Sequence, residues 1–313
     1  MGQKLFRTGY YKKQFESNFS LQVQGKYNYS WNKYVDFNNN YTEGKQEDRH
    51  TQREYYISAG GLYTPIEHLS FSLTTDFFVN TLKNNLPACP FPTRYTSLSV
   101  LAAQYKDNRL TTTVSLLNTF IAENVKTGDK PSDRKRLSPS ASVSWRVLPE
   151  QNLRIRASFK DIFRVPTFND MYYLRIGNTN LKPERATQYN LGMTWGDSPS
   201  SALSYLNLSV DGYYNRVRDK IVALPTLYIW KMMNMGEVAI SGIDANLSAE
   251  ISCFDFADFL LQGNYTWQKA IDITNESAKN YRDQILILQA CRFGSLSIQN
   301  KWLNVSYLLS CAG

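Results

Sequence analysis

The sequence predicts an all-β protein whose strands form an antiparallel transmembrane β-barrel. Three observations support this prediction: a repeated alternation of apolar and polar residues, connections that are short at one end of the strands and long at the other, and many aromatic residues in a polar chain. Of the 313 residues, 14% are Phe, Trp or Tyr, and the mean hydropathy is −0.42. Aromatic girdles at a membrane interface would use such amphipathic rings.

The alternation is clearest between residues 19 and 31, where every odd position is apolar or Gly and every even position is polar. Successive side chains of a strand point to opposite faces, so one face would meet lipid and the other water. At 98–102 the predicted lipid-facing positions are Leu98, Val100 and Ala102. A generous count, which includes weaker runs, predicts about 13 strands. The other clear runs are 55–63, 69–79, 141–147, 153–159, 189–195, 206–214, 243–251, 259–267 and 303–310.

The connections between these runs alternate in length. Short turns at one end of the strands and longer loops at the other are typical of bacterial outer-membrane barrels, with the short turns on the periplasmic side. The predicted short connections lie near 65–68, 106–109, 148–152, 197–204, 252–258 and 300–301. The predicted long loops cover 33–54, 80–95, 121–137, 163–186, 217–238 and 271–294.

Strand length favours a membrane barrel over a soluble β-sandwich. Sandwich strands average about 5 to 6 residues, whereas several runs here reach the roughly 9 to 11 residues that cross a bilayer at a tilt. Closure also matters, because lipid cannot satisfy the free N–H and C=O groups of an edge strand. The longest apolar runs, such as 285–288, are far below the roughly 20 residues of a membrane-spanning helix, so helical spans are excluded.

The formal net charge of +8 does not by itself indicate a nucleic-acid partner. Phosphate binding requires clustered Lys and Arg, but the basic residues are spread along the chain. The densest cluster, 134–136, stands beside Asp129 and Asp133 in a stretch that looks like a loop. We therefore interpret it as solvated loop charge and expect no nucleic acid.

The spacing of cysteine and histidine indicates no metal or thiol-redox site. Four cysteines are irregularly spaced, which leaves their disulfide state open, and His50 and His68 are the only histidines. No nucleophile stands in a recognisable setting with a base, so the sequence predicts neither an enzyme nor a bound metal or cofactor. Cys89, in the turn-rich segment 86–92, is predicted to be an isolated surface thiol.

A long loop after the run 153–159 carries the most specific motif. It begins with RVP at 164–166, ends with NLKPE at 180–184 and is followed by YNLG at 189–192. The prolines fix φ and remove a donor, as in a structured loop. The order of these elements resembles the C-terminal barrel signature of TonB-dependent outer-membrane receptors, with a weaker match at 235–244.

The resemblance implies a barrel of about 22 strands that is plugged by an N-terminal globular domain. Such a receptor would lie in the outer membrane of a Gram-negative bacterium, contact its lipid and import a scarce ligand, such as siderophore-bound iron, cobalamin or a glycan, with energy supplied through TonB. We expect residues 1–313 to be a partial barrel, with the plug domain that contacts TonB and the final strand or strands absent. The alternatives are a non-transporting remnant and a surface-exposed β-rich binding protein or adhesin.

Five residues match the signature and are expected to shape the loop rather than to bind ligand: Arg164, Pro166, Asn180, Pro183 and Glu184. The opposite charges of Arg164 and Glu184 suggest a buried ion pair that stabilises it.

Ligand contacts are expected instead from aromatic and basic side chains of the long loops. The candidates are Tyr172, Tyr173, Arg175, Tyr228 and Trp230. Aromatic residues at loop bases also form the interface girdle of membrane barrels, so both roles stay open for these residues.

Overall fold

Fourteen strands and one short helix form the described part of the chain. The computed structural model describes residues 2–37, 44–85, 89–128, 130–148, 150, 152–172, 176–198, 203–225, 229–253, 257–274, 284–299 and 304–312. In chain order the elements are β1 (Gly2–Gln14), β2 (Phe19–Phe37), β3 (Lys45–Ile66), β4 (Leu69–Asn84), β5 (Thr93–Lys106), β6 (Leu110–Asn124), β7 (Arg134–Leu148), β8 (Leu153–Arg164), α1 (Phe168–Tyr172), β9 (Glu184–Asp197), β10 (Leu203–Pro225), β11 (Trp230–Cys253), β12 (Ala257–Asp272), β13 (Gln284–Gln299) and β14 (Asn304–Ala312).

All these strands belong to one antiparallel sheet in which each strand pairs with the next along the chain. The connections β1–β2, β3–β4 and the following odd–even pairs lie at one end, which we call the short-turn end. The other connections lie at the long-loop end. No ladder joins β1 to β14 within the described residues. The sheet is therefore an open part of an antiparallel barrel wall, which confirms the predicted fold class.

The strand β1 was not expected from the alternation of the sequence. Its ladder with β2 is continuous from Gly2↔Asn32 to Gln14↔Ser20. In this register Arg7 and Lys13 lie on the face that is apolar in β2, so the side chains of β1 do not alternate in polarity. Backbone pairing forms this strand, and the side-chain pattern gives no sign of it.

The two faces of the sheet differ in chemistry, as the alternation predicted. One face exposes large apolar side chains, among them Ile57, Leu73, Leu191 and Ile243. The other is polar and carries α1, so we call it the inner face and the apolar one the outer face. The helix α1 has five residues, and in the described ranges no helix has the length and apolarity needed to cross a membrane.

Two rows of exposed tyrosines bound the apolar outer face. On β3 they are Tyr55 and Tyr63, and on β5 they are Tyr95 and Tyr105. Their spacings along the strands correspond to about 26 and 33 Å at roughly 3.3 Å per residue. With a strand tilt of about 40°, the rows are roughly 20 to 25 Å apart along the barrel axis, close to the height of the lipid-facing band of outer-membrane barrels.

The predicted apolar phase of β5 is wrong. Leu98, Val100 and Ala102 pair with Asp76, Thr74 and Ser72 of β4, which places them on the inner face. The outer face carries Leu101, which is 57% exposed. Both faces of β5 contain small and apolar residues, so alternation within the strand does not fix the phase. Pairing with Leu73, whose phase in β4 is unambiguous, fixes it instead.

The strands are longer than the alternation indicated, and most of the predicted long loops are partly strand. The ladder between β10 and β11 runs from Leu203↔Ile251 to Pro225↔Trp230, through most of the loop predicted at 217–238. The basic cluster 134–136 likewise begins β7 and is not a solvated loop. Beyond the bilayer both faces of a strand meet water, so the alternation ends while the hydrogen-bonded ladder continues.

Replacing Leu101, which lies between Tyr95 and Tyr105 on the outer face, with Arg should destabilise the protein in lipid vesicles by about 2 to 4 kcal/mol, because the guanidinium would enter hydrocarbon. The matched replacement Leu98→Arg, on the inner face of the same strand, should have a smaller effect. Urea unfolding in vesicles, followed by intrinsic fluorescence, measures both. An equal or larger loss of stability in Leu98→Arg would contradict the register of β5.

Candidate functional site

The loop between β8 and β9 begins with the helix α1, whose first turn is capped by its own side chains. The N–H of Thr167 donates to Oδ2 of Asp170 at 2.8 Å, and the N–H of Asp170 donates to Oγ1 of Thr167 at 3.1 Å. This reciprocal pair is a capping box. It satisfies two N–H groups that a helix start leaves free, which helps such a short helix to form.

Arg94 of β5 holds this loop against the inner face. Its Nε donates to Oε2 of Glu123 on β6 at 2.8 Å, and its Nη1 donates to the carbonyl oxygen of Pro166 at 2.8 Å. Its guanidinium also stacks over the ring of Phe168, 4.8 Å from the centroid. The hydroxyl of Tyr172 donates to Oε1 of Glu123 at 2.5 Å. We call these five residues the loop anchor.

The centre of the loop anchor is buried. The side chains of Arg94 and Glu123 are 8% and 3% exposed, and Pro166 is fully buried. Both carboxylate oxygens of Glu123 accept a hydrogen bond from a separate partner, so the buried charge is compensated. Sequence analysis did not identify Arg94 or Glu123, because they lie on two strands far from the loop in sequence. The alternation left both residues in predicted long loops, at 80–95 and 121–137, and gave no sign that they pair.

The ion pair predicted between Arg164 and Glu184 forms at the base of the loop. Nη1 of Arg164 donates to Oε2 of Glu184 at 3.0 Å, and Oε1 of Glu184 accepts the N–H of Ile221 at 2.6 Å. The Glu184 side chain is 13% exposed, but that of Arg164 is 48% exposed. The expectation of a buried pair is therefore wrong for Arg164, which ends β8 and extends into solvent, where it also contacts Asp170 at 3.4 Å.

The second half of the loop is fastened to β11. The N–H of Asn180 donates to Oδ1 of Asn178 at 3.0 Å, and Nδ2 of Asn178 donates to the carbonyl oxygen of Met232 at 3.0 Å. The N–H of Lys182 donates to Oδ1 of Asn234 at 2.8 Å. Pro183 is partly exposed and leads into β9. These contacts suit an architectural role for the five signature residues, which stays a prediction.

Of the five predicted ligand contacts, two lie among the described residues. The hydroxyl of Tyr172 is engaged by Glu123, and Trp230 begins β11 at the long-loop end with 55% of its surface exposed. Tyr173, Arg175 and Tyr228 lie outside the described residues. A ligand role for these five positions stays a prediction.

The loop and the inner face enclose a polar pocket of about 250 Å³ that the sequence did not single out. Side chains from β2, β3 and β4 meet α1 there. One amide oxygen in the lining, Oδ1 of Asn80, is buried without a hydrogen-bond partner among the described residues. We call this cavity the inner pocket. Its polar lining includes Asn28, Ser30, Gln52, Asn80, Thr167 and Asn169.

Cys89 is buried, which corrects the prediction of a surface thiol. The segment that follows it packs onto the wall: the N–H of Leu82 donates to the carbonyl oxygen of Pro92 at 3.1 Å, and that of Lys126 to the carbonyl oxygen of Pro90 at 2.8 Å. Among the described residues no group of three His, Cys, Asp or Glu side chains is placed to hold a metal ion.

An up-and-down antiparallel wall with an apolar outer face, tyrosine rows and a polar inner face defines a barrel of the outer-membrane type. Within this class, the family model described as TonB dependent receptor-like, beta-barrel matches residues 2–296. The chain belongs to this family of TonB-dependent receptors, as the motif at 164–192 indicated.

Individual relatives agree with this assignment. The vitamin B12 transporter BtuB of Photobacterium profundum is 28% identical over 160 residues, which cover 47% of this chain and 25% of the transporter. Among solved structures, the copper transporter OprC has a TM-score of 0.74 at 13% sequence identity. The match covers 94% of this chain and 51% of the OprC chain. The Serratia marcescens hemophore receptor HasR has a TM-score of 0.71 at 12% sequence identity, and the match covers 99% of this chain and 58% of the HasR chain. The chain thus spans about a quarter of the curated relative and about half of each structure.

Replacing Arg94 with Met should lower the free energy of unfolding by about 3 to 5 kcal/mol, because Glu123 would keep a buried charge without its cation. Arg164→Met is the matched control, and it should cost less than about 1 kcal/mol because its ion pair is solvent-exposed on the arginine side. Urea unfolding in vesicles measures both variants. Equal effects would contradict the anchoring role of Arg94.

The phenol of Tyr172 should ionise at a higher pH than that of an exposed tyrosine. It lies in α1, outside the membrane-spanning strands, where burial and then the hydrogen bond to Glu123 raise its pKa. Its stabilising contribution is fully present below the unfolded phenol pKa of about 10 and is lost as pH rises through the higher folded-state pKa. The alkaline absorbance titration of wild type minus Tyr172→Phe isolates this phenol. A midpoint at the value of a free tyrosine, about 10, would disprove the contact.

Proposed function

We propose that this chain is the barrel part of an outer-membrane active-transport receptor for a scarce ligand, energised through TonB. Family membership supports the class, and the relatives named above are transporters or receptors for vitamin B12, copper and a heme-bearing hemophore. Siderophore-bound iron, cobalamin and a glycan are the ligand classes that we consider. The relatives named above are transporters or receptors and not enzymes, which favours a non-enzymatic function.

The observation that carries the proposal is the inner pocket. It lies on the water-facing side of the wall, where an imported molecule would pass, and it is lined mainly by amides and hydroxyls. A buried carbonyl oxygen without a donor is costly unless a partner arrives. Oδ1 of Asn80 is such an acceptor, so the pocket suits a ligand that donates hydrogen bonds from hydroxyl or amide groups.

The loop anchor supplies the rigidity that such a pocket requires. Thr167, Phe168 and Asn169 form the loop side of the pocket, and Arg94 lies in its wall. Because Arg94 also bonds Pro166 and stacks on Phe168, the loop residues that line the pocket are fixed relative to the sheet. Preorganised polar groups lose less entropy on binding.

The experiment measures binding and uptake of labelled ferric siderophore, cobalamin and oligosaccharide by cells that express the receptor, with and without TonB. One ligand should bind in both strains and enter only the strain with TonB. Asn80→Leu should weaken binding of that ligand about tenfold, or roughly 1.4 kcal/mol. The control Asn246→Leu alters an amide on the same face that bonds Ser209 outside the pocket, and should bind normally.

Binding without import in either strain would contradict the transport proposal and favour the surface-binding alternative. Import of a ligand with unchanged affinity in Asn80→Leu would preserve transport but remove the inner pocket from ligand recognition.

A further inference from the structure

The outer face contains an apolar groove across β7 to β11. It is about 830 Å³ in volume. Small residues create the depression: Ala157 and Gly212 lie in one outward row with the bulkier Leu191 and Ile243, and Ala141 lies in the next row toward the long-loop end. A side chain at Gly212 would meet only a backbone oxygen, 3.9 Å from its Cβ, so the groove is open there. Its shape and chemistry suit an acyl chain.

A basic pocket of about 310 Å³ lies directly beyond the groove, toward the long-loop end. Arg185 on β9 and Arg218 on β10 are paired directly across the ladder, and Arg216 is the next outward residue of β10. Like charges directly opposite each other destabilise a sheet. The arrangement is therefore unfavourable unless an anion lies between them.

The local acidic residues offset only part of this positive charge. Glu237 forms ion pairs with both Arg216 and Arg218, and Asp161 pairs with Arg136 at 2.8 Å. Arg185 is exposed and has no acidic partner among the described residues. The arginines that line the pocket thus outnumber the acids around it by two. The lining arginines are Arg136, Arg185, Arg216 and Arg218.

The groove and the basic pocket are continuous, because Tyr189 and Tyr214 line both. These tyrosines lie on the outer face, 50% and 44% exposed, at a level where such rings meet lipid headgroups. Arg216 follows Tyr214 by two residues, or about 7 Å along the strand. The guanidinium groups therefore lie at headgroup level, next to an apolar groove that suits an acyl chain.

We propose that this surface is a binding site for a single membrane lipid, with a headgroup phosphate held by Arg185, Arg216 and Arg218 and an acyl chain in the groove below Tyr189 and Tyr214. The planar guanidinium forks match phosphate oxygens. The proposal rests on the placement of the barrel in an outer membrane, and it is independent of which ligand is imported. In the outer leaflet, the long-loop side of such a barrel, the matching lipid is a phosphorylated glycolipid.

The test uses lipid A, a phosphorylated glucosamine lipid, added to the protein in phosphatidylcholine nanodiscs. Bound lipid is counted by native mass spectrometry, and thermal stability is measured with and without it. Arg185→Gln removes one charge of the phosphate site without removing an ion pair, and Gly212→Leu fills the groove without a change in charge. Arg7→Gln, which removes an exposed arginine from the outer face of β1, is the control.

Both site variants should bind lipid A at least tenfold more weakly than wild type, and the control should not. Without lipid A, Arg185→Gln should be no less stable than wild type, because it relieves the contact with Arg218. With lipid A, wild type should gain stability that both variants lack. If only Arg185→Gln loses lipid A binding, and inorganic phosphate displaces lipid A fully from wild type, the site binds a free anion and the lipid assignment is overturned. Equal binding by wild type and both variants would overturn the site itself.

Discussion

The wall of this protein depends on one constraint: inside hydrocarbon, every backbone N–H and C=O must find its partner within the protein. The ladders meet it by pairing each strand with its sequence neighbour without interruption across the apolar band. The register shifts fall outside this band. Those at Tyr63/Ile66, Arg146/Leu148 and Leu203/Tyr205 lie at the short-turn end, and the one at Ala270/Ile271 lies at the long-loop end. Irregular pairing therefore occurs where water can satisfy the groups that it leaves free.

Burial imposes a similar requirement on the charged side chains of the inner face. Burial of an ion pair costs several kcal/mol per ion, and good geometry must offset it. Glu123 receives Arg94 on one oxygen and Tyr172 on the other, while Arg94 also bonds Pro166. The net stabilisation of such a cluster is small, but loss of one partner is costly. We infer that the cluster determines one position for the loop, which is what a pocket built partly from that loop requires.

Much of the wall could be predicted from the sequence, because a bilayer forces period-two alternation on any strand with one face in lipid. The prediction failed where the alternation is weak within the band, as in β1 and β5, and beyond the band, where that force is absent. In β1, Arg7 and Lys13 interrupt the apolar face. Beyond the band, the ladder of β10 and β11 continues with water on both faces of the sheet. The inner pocket could not be predicted, because Asn80 and Arg94 meet the loop only through strand register. The ion pair at Arg164 was predicted from charge, but its exposure depends on where β8 ends.

The arginines of the two faces show how location decides what a charge can do. Arg94, enclosed between sheet and loop, has its counter-charge built into the chain, since water cannot supply one there. Arg185 is exposed beside Arg218 and has no built-in partner in the described sheet. On a soluble protein, solvent would screen the repulsion between two such arginines, and the pair would not indicate a binding site. Next to tyrosines at the lipid boundary, above a groove that opens at Gly212, the missing charge is one that the membrane itself can provide.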